Sequence, residues 1–323
     1  MSDWLVIDGA RRLLADTCTF AAVQAAEADG WCSIVWDPME AAGYASLSEL
    51  ALADALAVLT VAGEHAAPVP LAEAALAGWL LQESLPGSVS VVCAGDLRLD
   101  AGKLNGSAVC VPWGHAVERV VAVVDEQAVV VTVASAARVE RHVNLAGEPR
   151  DTLVFEQTEP ALVRPVACDL HQRGALTRAA LMAGALTAMA RLTVAYARQR
   201  RQFGRPIAAF QAVQQHLVSI AQDAALVGAA AEGAARVAGA FEIAAAKALA
   251  SRAALTATRA AHQVHGAMGM TQEYRLHHLS RRLWAWRAEY GDEHHWAQQL
   301  GRAATTAGPD SLYPAITGGS TAI

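Results

Sequence analysis

Tyr196-Ala197-Arg198-Gln199-Arg200-Arg201-Gln202-Phe203-Gly204-Arg205-Pro206-Ile207 is a helical, cationic stretch that runs into a glycine-proline break, and Phe210-Gln211-Ala212-Val213-Gln214 follows it. The pattern predicts a helix ending at Gly204 with Arg200 on its last turn, its guanidinium fork free to reach outward. A guanidinium can hold a diphosphate through two parallel hydrogen bonds, which a lysine cannot match. Taken alone, Arg198, Arg200 and Arg201 also suit a solvated helix end, where the macrodipole favours cations. A second stretch, Gln263-Val264-His265-Gly266-Ala267-Met268-Gly269-Met270-Thr271-Gln272-Glu273-Tyr274, places two glycines three apart. There the backbone can approach a ligand closely, and Gln263 can both donate and accept.

Together the two stretches, and the spacing between them, resemble the C-terminal domain of the acyl-CoA dehydrogenase family. The resemblance is strong over residues 170–305, fair over 1–85 and poor over 86–165. It implies a mainly α fold with a small β domain. Four segments are expected: an N-terminal helical domain over residues 1–85, a shortened β-barrel-like domain over 86–166, a C-terminal four-helix domain over 167–307 and a flexible tail over 308–323. It also implies that Arg200, Gln202 and Phe203 meet the diphosphate and adenine side of FAD and that Gln211 adds a polar contact. Gln263, Gly266 and Ala267 would lie at the adenosine end. Ala267 stands where many members carry a second glycine.

The rest of the chain fits that frame by zones. Leu47, Leu50, Leu52, Leu56 and Leu59 recur at near-helical spacing in the first zone. Short β-rich runs at residues 89–93, 109–111, 120–124, 129–133 and 152–155 fill the second, with turns at Asn105-Gly106 and Gly147-Glu148-Pro149. In the third, Phe210, Val213, Leu217, Ile220, Ala224 and Val227 alternate three and four apart. That stripe suits a helix bundle or a helical oligomer interface, and an exposed apolar patch is expected if it stays unpaired.

Two departures from the family define the function that is expected. The family removes an α-proton from an acyl-CoA with a glutamate while the flavin accepts hydride from the β-carbon. Counted from Glu273-Tyr274, the base position holds Tyr290, and the alternative position on an earlier helix holds Thr177, before Arg178. A phenol with a reference pKa of about 10 is a poor base at neutral pH. Glu289, one residue away, is the fallback base, and Arg178 is the expected substrate contact. The loop that holds the flavin ring in the family has no counterpart either. The chain runs from Val91-Val92-Cys93-Ala94-Gly95-Asp96 almost directly to Lys103-Leu104-Asn105-Gly106.

This pattern resembles the smaller subunit of heteromeric α2β2 acyl-CoA dehydrogenases of actinobacteria, notably those acting on steroid side-chain CoA thioesters. The resemblance implies FAD shared with a longer acyl-CoA dehydrogenase subunit that carries the base. It also implies an acyl-CoA thioester substrate, an electron-transfer flavoprotein as acceptor, and an isolated chain that is inactive. The alternatives are a homotetrameric acyl-CoA dehydrogenase using Glu289 and a flavin-free scaffold subunit.

Composition narrows the field further. The 323 residues are 54% hydrophobic and 17% charged, with a net charge of -6, so no basic field favours nucleic acid or an anionic membrane. No membrane span stands out, and the mixed charges Asp3, Asp8, Arg11 and Arg12 argue against a signal peptide. Five cysteines without a CxxC pair are expected as buried thiols in a reducing cytoplasm. His277, His278, His294 and His295, with Asp292 and Glu293, lack metal-ligand spacing, so no metal is expected.

Overall fold

The computed structural model describes residues 4–308, 310, 313 and 314. Almost all of the expected tail lies outside the described residues. Five helices come first: α1 (Trp4–Thr17), α2 (Phe20–Asp29), α3 (Ser33–Ala41), α4 (Leu52–Glu64) and α5 (Leu71–Leu81). Nine strands follow: β1 (Val89–Val92), β2 (Ala94–Gly95), β3 (Arg98–Asp100), β4 (Lys103–Pro112), β5 (Arg119–Val124), β6 (Gln127–Thr132), β7 (Arg138–Glu140), β8 (Arg150–Thr158) and β9 (Leu162–Pro165). Then come α6 (Leu170–Gln199), the small hairpin β10 (Arg201–Gln202) and β11 (Arg205–Pro206), α7 (Gln211–Val237) and α8 (Ala240–His265). Two further helices follow, α9 (Leu276–Ala288) and α10 (Glu293–Ala307). The chain divides into two compact units, Met1–Ala55 with Ala67–Gly174 and Leu56–Ala66 with Ala175–Ile323.

In the first unit, β1, β5, β6 and β9 form one sheet in that order, with β1 parallel to β5. The other sheet runs β2-β4-β8-β7, and β3 pairs with β4. Val92, Leu104, Val111, Val120, Val129, Leu153 and Phe155 belong to the core of this β region. The long runs of valine predict the central strands because branched side chains fit a half-buried pleated surface. The short strands β3 and β7 lie largely exposed at Arg98–Asp100 and Arg138–Glu140 and carry no such signal.

The connection from Cys93 to Ser107 closes on itself. Ser107 N donates to Asp96 Oδ1 at 2.7 Å and Asp96 N to Ser107 O at 3.0 Å. At Gly95, with φ +147°, an added Cβ would lie 2.1 Å from Ser107 O, so only glycine lets the two strands meet this closely. Asn105 Oδ1 accepts from Gln157 N at 2.8 Å and from Gln157 Nε2 at 3.1 Å, which ties the turn to β8.

The leucine series 47–59 is not one helix. A 3-10 turn spans Tyr44–Glu49, Leu50 is extended (φ −80°, ψ 162°), and α4 starts at Leu52. The thiol expectation holds for Cys18 and Cys32, which are buried, but Cys93 and Cys110 are exposed. One helix, Leu170–Gln199, is long and apolar enough to cross a membrane by length and composition, and 56% of its most apolar window is buried within the fold.

In the second unit, backbone meets backbone between α4 and α6. A Cβ at Gly63 would lie 2.0 Å from Leu181 O, and one at Gly184 only 1.8 Å from Thr60 O. The stretch read as a four-helix block holds α6, α7, α8 and a shorter pair, α9 and α10. Helix α8 is the hub, packing on α7, α9 and α10. The apolar stripe enters the core over its second half: Ile220, Ala224 and Val227 are buried and the same face continues as Ala231 and Ala234, while Phe210, Val213 and Leu217 are half-buried. Of the two expectations for the stripe, a helix bundle or an oligomer interface, its buried half fits the bundle. The exposed apolar side chains of α7 are instead Val218, Leu226 and Val237.

Candidate functional site

Helix α6 ends one turn earlier than the sequence predicts. Gln199 is its last residue, and Arg200 follows it, with Arg200 N donating to Tyr196 O at 2.8 Å. Arg200 O then accepts from Ile207 N at 2.8 Å, which closes the β10–β11 hairpin back onto the helix end. The turn needs left-handed backbone at Phe203 (φ 51°) and Gly204 (φ 81°). Phe203 is 90% exposed, an unusual place for a phenyl ring in a chain standing alone. Its ring lies edge-on to Phe210 at 6.0 Å, and the Arg205 guanidinium sits 4.3 Å from the Phe210 centroid. Arg201 Nη2 is spent on Gly204 O at 2.9 Å. Arg200 is exposed and makes no ion pair among the described residues.

The second stretch begins where α8 ends. Gly266 adopts φ 57°, ψ −138°, a conformation that side chains avoid, and nothing lies within 4 Å of where its Cβ would be. Gly269 is packed instead, because a Cβ there would lie 2.9 Å from His265 Cβ. Gln202, Gln211, Gln263, Gly266 and Ala267 are all exposed, as are Arg200 and Phe203.

Three rings join the two stretches. Tyr196 stacks on His265 with centroids 4.4 Å apart, and Tyr196 Oη donates to His265 O at 3.3 Å. Tyr274 Oη lies 3.2 Å from His265 Nε2. This ring cluster was not singled out from sequence, although all three residues stand in the quoted stretches.

The base position is built differently. Tyr290 lies in the turn between α9 and α10 with φ 54°, before Gly291 with φ 86°. Glu289 Oε2 accepts from Arg178 Nε at 2.6 Å, and the Arg178 guanidinium sits 5.4 Å from the centre of the Tyr290 ring. Arg178, read as a substrate contact, is 1% exposed and engaged with these two residues, and Thr177 beside it is also buried. Trp296 Nε1 donates to Tyr290 O at 2.9 Å.

Lys247, fully buried, donates to Arg287 O at 2.9 Å, Gly291 O at 2.7 Å and Ser251 Oγ at 3.1 Å. Burial pulls its ammonium down to about 7, while Glu289 pulls it back up and Arg178 pushes it down again. A lone lysine within Ala244-Ala245-Ala246-Lys247-Ala248-Leu249 was the sequence signal for it.

Three of the residues weighed as metal ligands make other contacts. Asp292 caps α10 by accepting from His294 N and His295 N, both at 3.0 Å, and the bond from His295 chiefly holds its carboxyl low. Glu293 pairs with Arg287, and His277 Nδ1 bonds Tyr274 O at 2.8 Å.

Residues 166–304 match the family model described as acyl-CoA dehydrogenase, C-terminal domain. That part of the chain is similar to the C-terminal domain of acyl-CoA dehydrogenases. Among curated relatives, acyl-CoA dehydrogenase IpdE2 of Mycobacterium tuberculosis is 33% identical over 125 residues, which covers 39% of this chain and 38% of the relative. The probable acyl-CoA dehydrogenase YngJ of Bacillus subtilis is 35% identical over 113 residues, covering 33% of this chain and 30% of the relative. The matched part thus spans about a third of each curated relative.

Solved structures match over much more of the chain. A chain of the ChsE4-ChsE5 complex from Mycobacterium tuberculosis has a TM-score of 0.81 at 20% identity, covering 94% of this chain and 97% of that one. The glutaryl-coenzyme A dehydrogenase glutaryl-CoA complex gives 0.80 at 16% identity, with 93% and 95% covered. The Tcur3481-Tcur3483 steroid ACAD G363A variant gives 0.80 at 21% identity, with 94% and 98% covered. The chain therefore has the acyl-CoA dehydrogenase fold, β region included, although residues 86–165 resemble the family poorly in sequence.

Proposed function

We propose that this chain is the smaller subunit of a heteromeric, α2β2 acyl-CoA dehydrogenase, acting in the cytoplasm beside a longer acyl-CoA dehydrogenase subunit. In this reading it lends contacts to the diphosphate and adenosine of an FAD housed mainly by the partner. FAD supplies hydride acceptance during α,β-dehydrogenation of an acyl-CoA thioester, and an electron-transfer flavoprotein is the expected acceptor.

One contrast within the chain carries the reading. The residues expected at the cofactor, Arg200, Gln202, Phe203, Gln211, Gln263, Gly266 and Ala267, all face outward. The residues expected at the chemistry are engaged with one another: Arg178 is buried, half-buried Glu289 accepts from it and half-buried Tyr290 lies under the same guanidinium. An exposed guanidinium without an ion-pair partner among the described residues, together with the open space at Gly266, fits a diphosphate supplied from outside the chain. The compact 93–107 connection fits the same division, since no long loop there reaches for a flavin ring. A steroid side-chain thioester is the substrate favoured by likeness to the steroid dehydrogenase structure, and by that likeness alone.

The test is flavin content after co-expression with the longer subunit and gel filtration, for wild type, Arg200→Ala and Arg200→Lys. Arg200→Ala is expected to lose most of the bound FAD, because deleting one partner of a desolvated charged contact typically costs about 2–5 kcal/mol. Arg200→Lys should recover only part of it, since the two-point geometry is gone. Unchanged flavin in Arg200→Ala would favour a flavin-free scaffold instead.

A further inference from the structure

We propose that His265 is a positioning residue that locks the Arg200 arm to the Gly266 turn, so that the two stretches act on one ligand as a single rigid clamp. The inference rests on the reading above, in which those stretches meet the FAD diphosphate and adenosine.

His265 is 3% exposed and is the last residue of α8, immediately before Gly266. Its ring nitrogens have separate tasks. Nδ1 lies 2.8 Å from Ala261 O, and a carbonyl only accepts, so Nδ1 carries the proton. Nε2 is then a bare lone pair, and Tyr274 Oη donates to it at 3.2 Å. Burial lowers the proton affinity of the imidazole, which favours this neutral form.

The main chain of His265 is held as well. Its carbonyl accepts from Tyr196 Oη at 3.3 Å, and the Tyr196 ring stacks on the imidazole at an interplanar angle of 27°. Tyr196 in turn accepts the Arg200 N–H with its own carbonyl, at the last turn of α6. Tyr274 closes the group, edge-on to Tyr196 at 5.9 Å. On the other side, the turn folds back so that only glycine fits at 269, 2.9 Å from His265 Cβ. One side chain therefore touches both stretches, while among the described residues neither Arg200 nor Gly266 is itself restrained by a side-chain partner. Without the link, binding would have to order two loose elements; with it, that ordering is done in advance.

The experiment is a double-mutant cycle on the complex with the longer subunit. FAD affinity is read from flavin fluorescence on titration, and the melting temperature of the FAD-stripped complex is read separately. Tyr274→Phe deletes one hydroxyl and keeps the ring, and Tyr196→Phe does the same on the other side. Each is expected to weaken FAD binding about five-fold, the scale of one neutral hydrogen bond, with little change in the stripped complex's melting. In an Arg200→Ala background the same deletions should have less than about a two-fold effect, because there is no arm left to position. Independent effects that multiply, or no effect of either hydroxyl while Arg200→Ala alone weakens binding, would overturn the role of His265 and leave the clamp reading standing. No effect of Arg200→Ala would overturn both.

Discussion

Arg178 Nε donates to Glu289 Oε2 at 2.6 Å, joining a guanidinium that is 1% exposed to the carboxylate next to the base position. Two consequences follow for variants. Glu289→Gln removes the carboxylate that pairs with the buried Arg178 guanidinium, so it should destabilise the chain, by up to about 3 kcal/mol, the low end of the range for breaking a buried pair. Chemical denaturation of the assembled protein reads this directly. Tyr290→Phe keeps the aromatic face over Arg178 and should leave both stability and turnover of the complex nearly unchanged. A turnover that collapses in Glu289→Gln with stability intact would make Glu289 the base.

Lys247 predicts a pH dependence of known sign. Its folded value is about 7, against 10.5 for the ordinary side chain. Between those values the unfolded chain binds more protons than the folded one, so stability rises with pH. Wild type should therefore gain on Lys247→Met, by up to a few kcal/mol, as pH climbs from about 7 towards 10. Below pH 7 both states hold the proton and the two curves should run parallel. Urea unfolding of both proteins across this range checks it, and parallel curves throughout would contradict it.

Gly266 is strained for any other residue, yet nothing crowds it. Gly266→Ala should cost about 1–3 kcal/mol of backbone strain, without any clash. Gly301→Ala is the matched control: it lies within α10 with open space around it, and alanine there should stabilise by roughly 0.5–1 kcal/mol. Differential scanning calorimetry of the two variants should shift in opposite directions.

The helical ends of the chain were legible because apolar periodicity and short motifs survive in single residues: the Phe210 to Val227 stripe marks one side of α7 whatever packs against it. What covers the stripe was not legible. Periodicity says that a face is buried but not by which element, and here α8 of the same chain covers it. The strands rich in valine showed through those valines, whereas the two- and three-residue strands β2, β3 and β7, largely exposed, did not. Arg200 was placed one turn too deep in a helix because Gly204 looks like a helix stop, while the hairpin whose turn it forms leaves only paired backbone as its mark. The Arg178–Glu289 pair spans 111 positions, and no local pattern reports a contact at that separation.

The division of labour between clamp and chemistry is tested most directly by counting flavin. The measurement is the molar ratio of FAD to protein for this chain purified alone and for the same chain assembled with the longer subunit. The account predicts essentially no FAD on the chain alone, one FAD per pair in the complex, and dehydrogenation of acyl-CoA only in the complex. A chain that purifies alone with one FAD each, and whose own turnover is lost in Glu289→Gln, would contradict it.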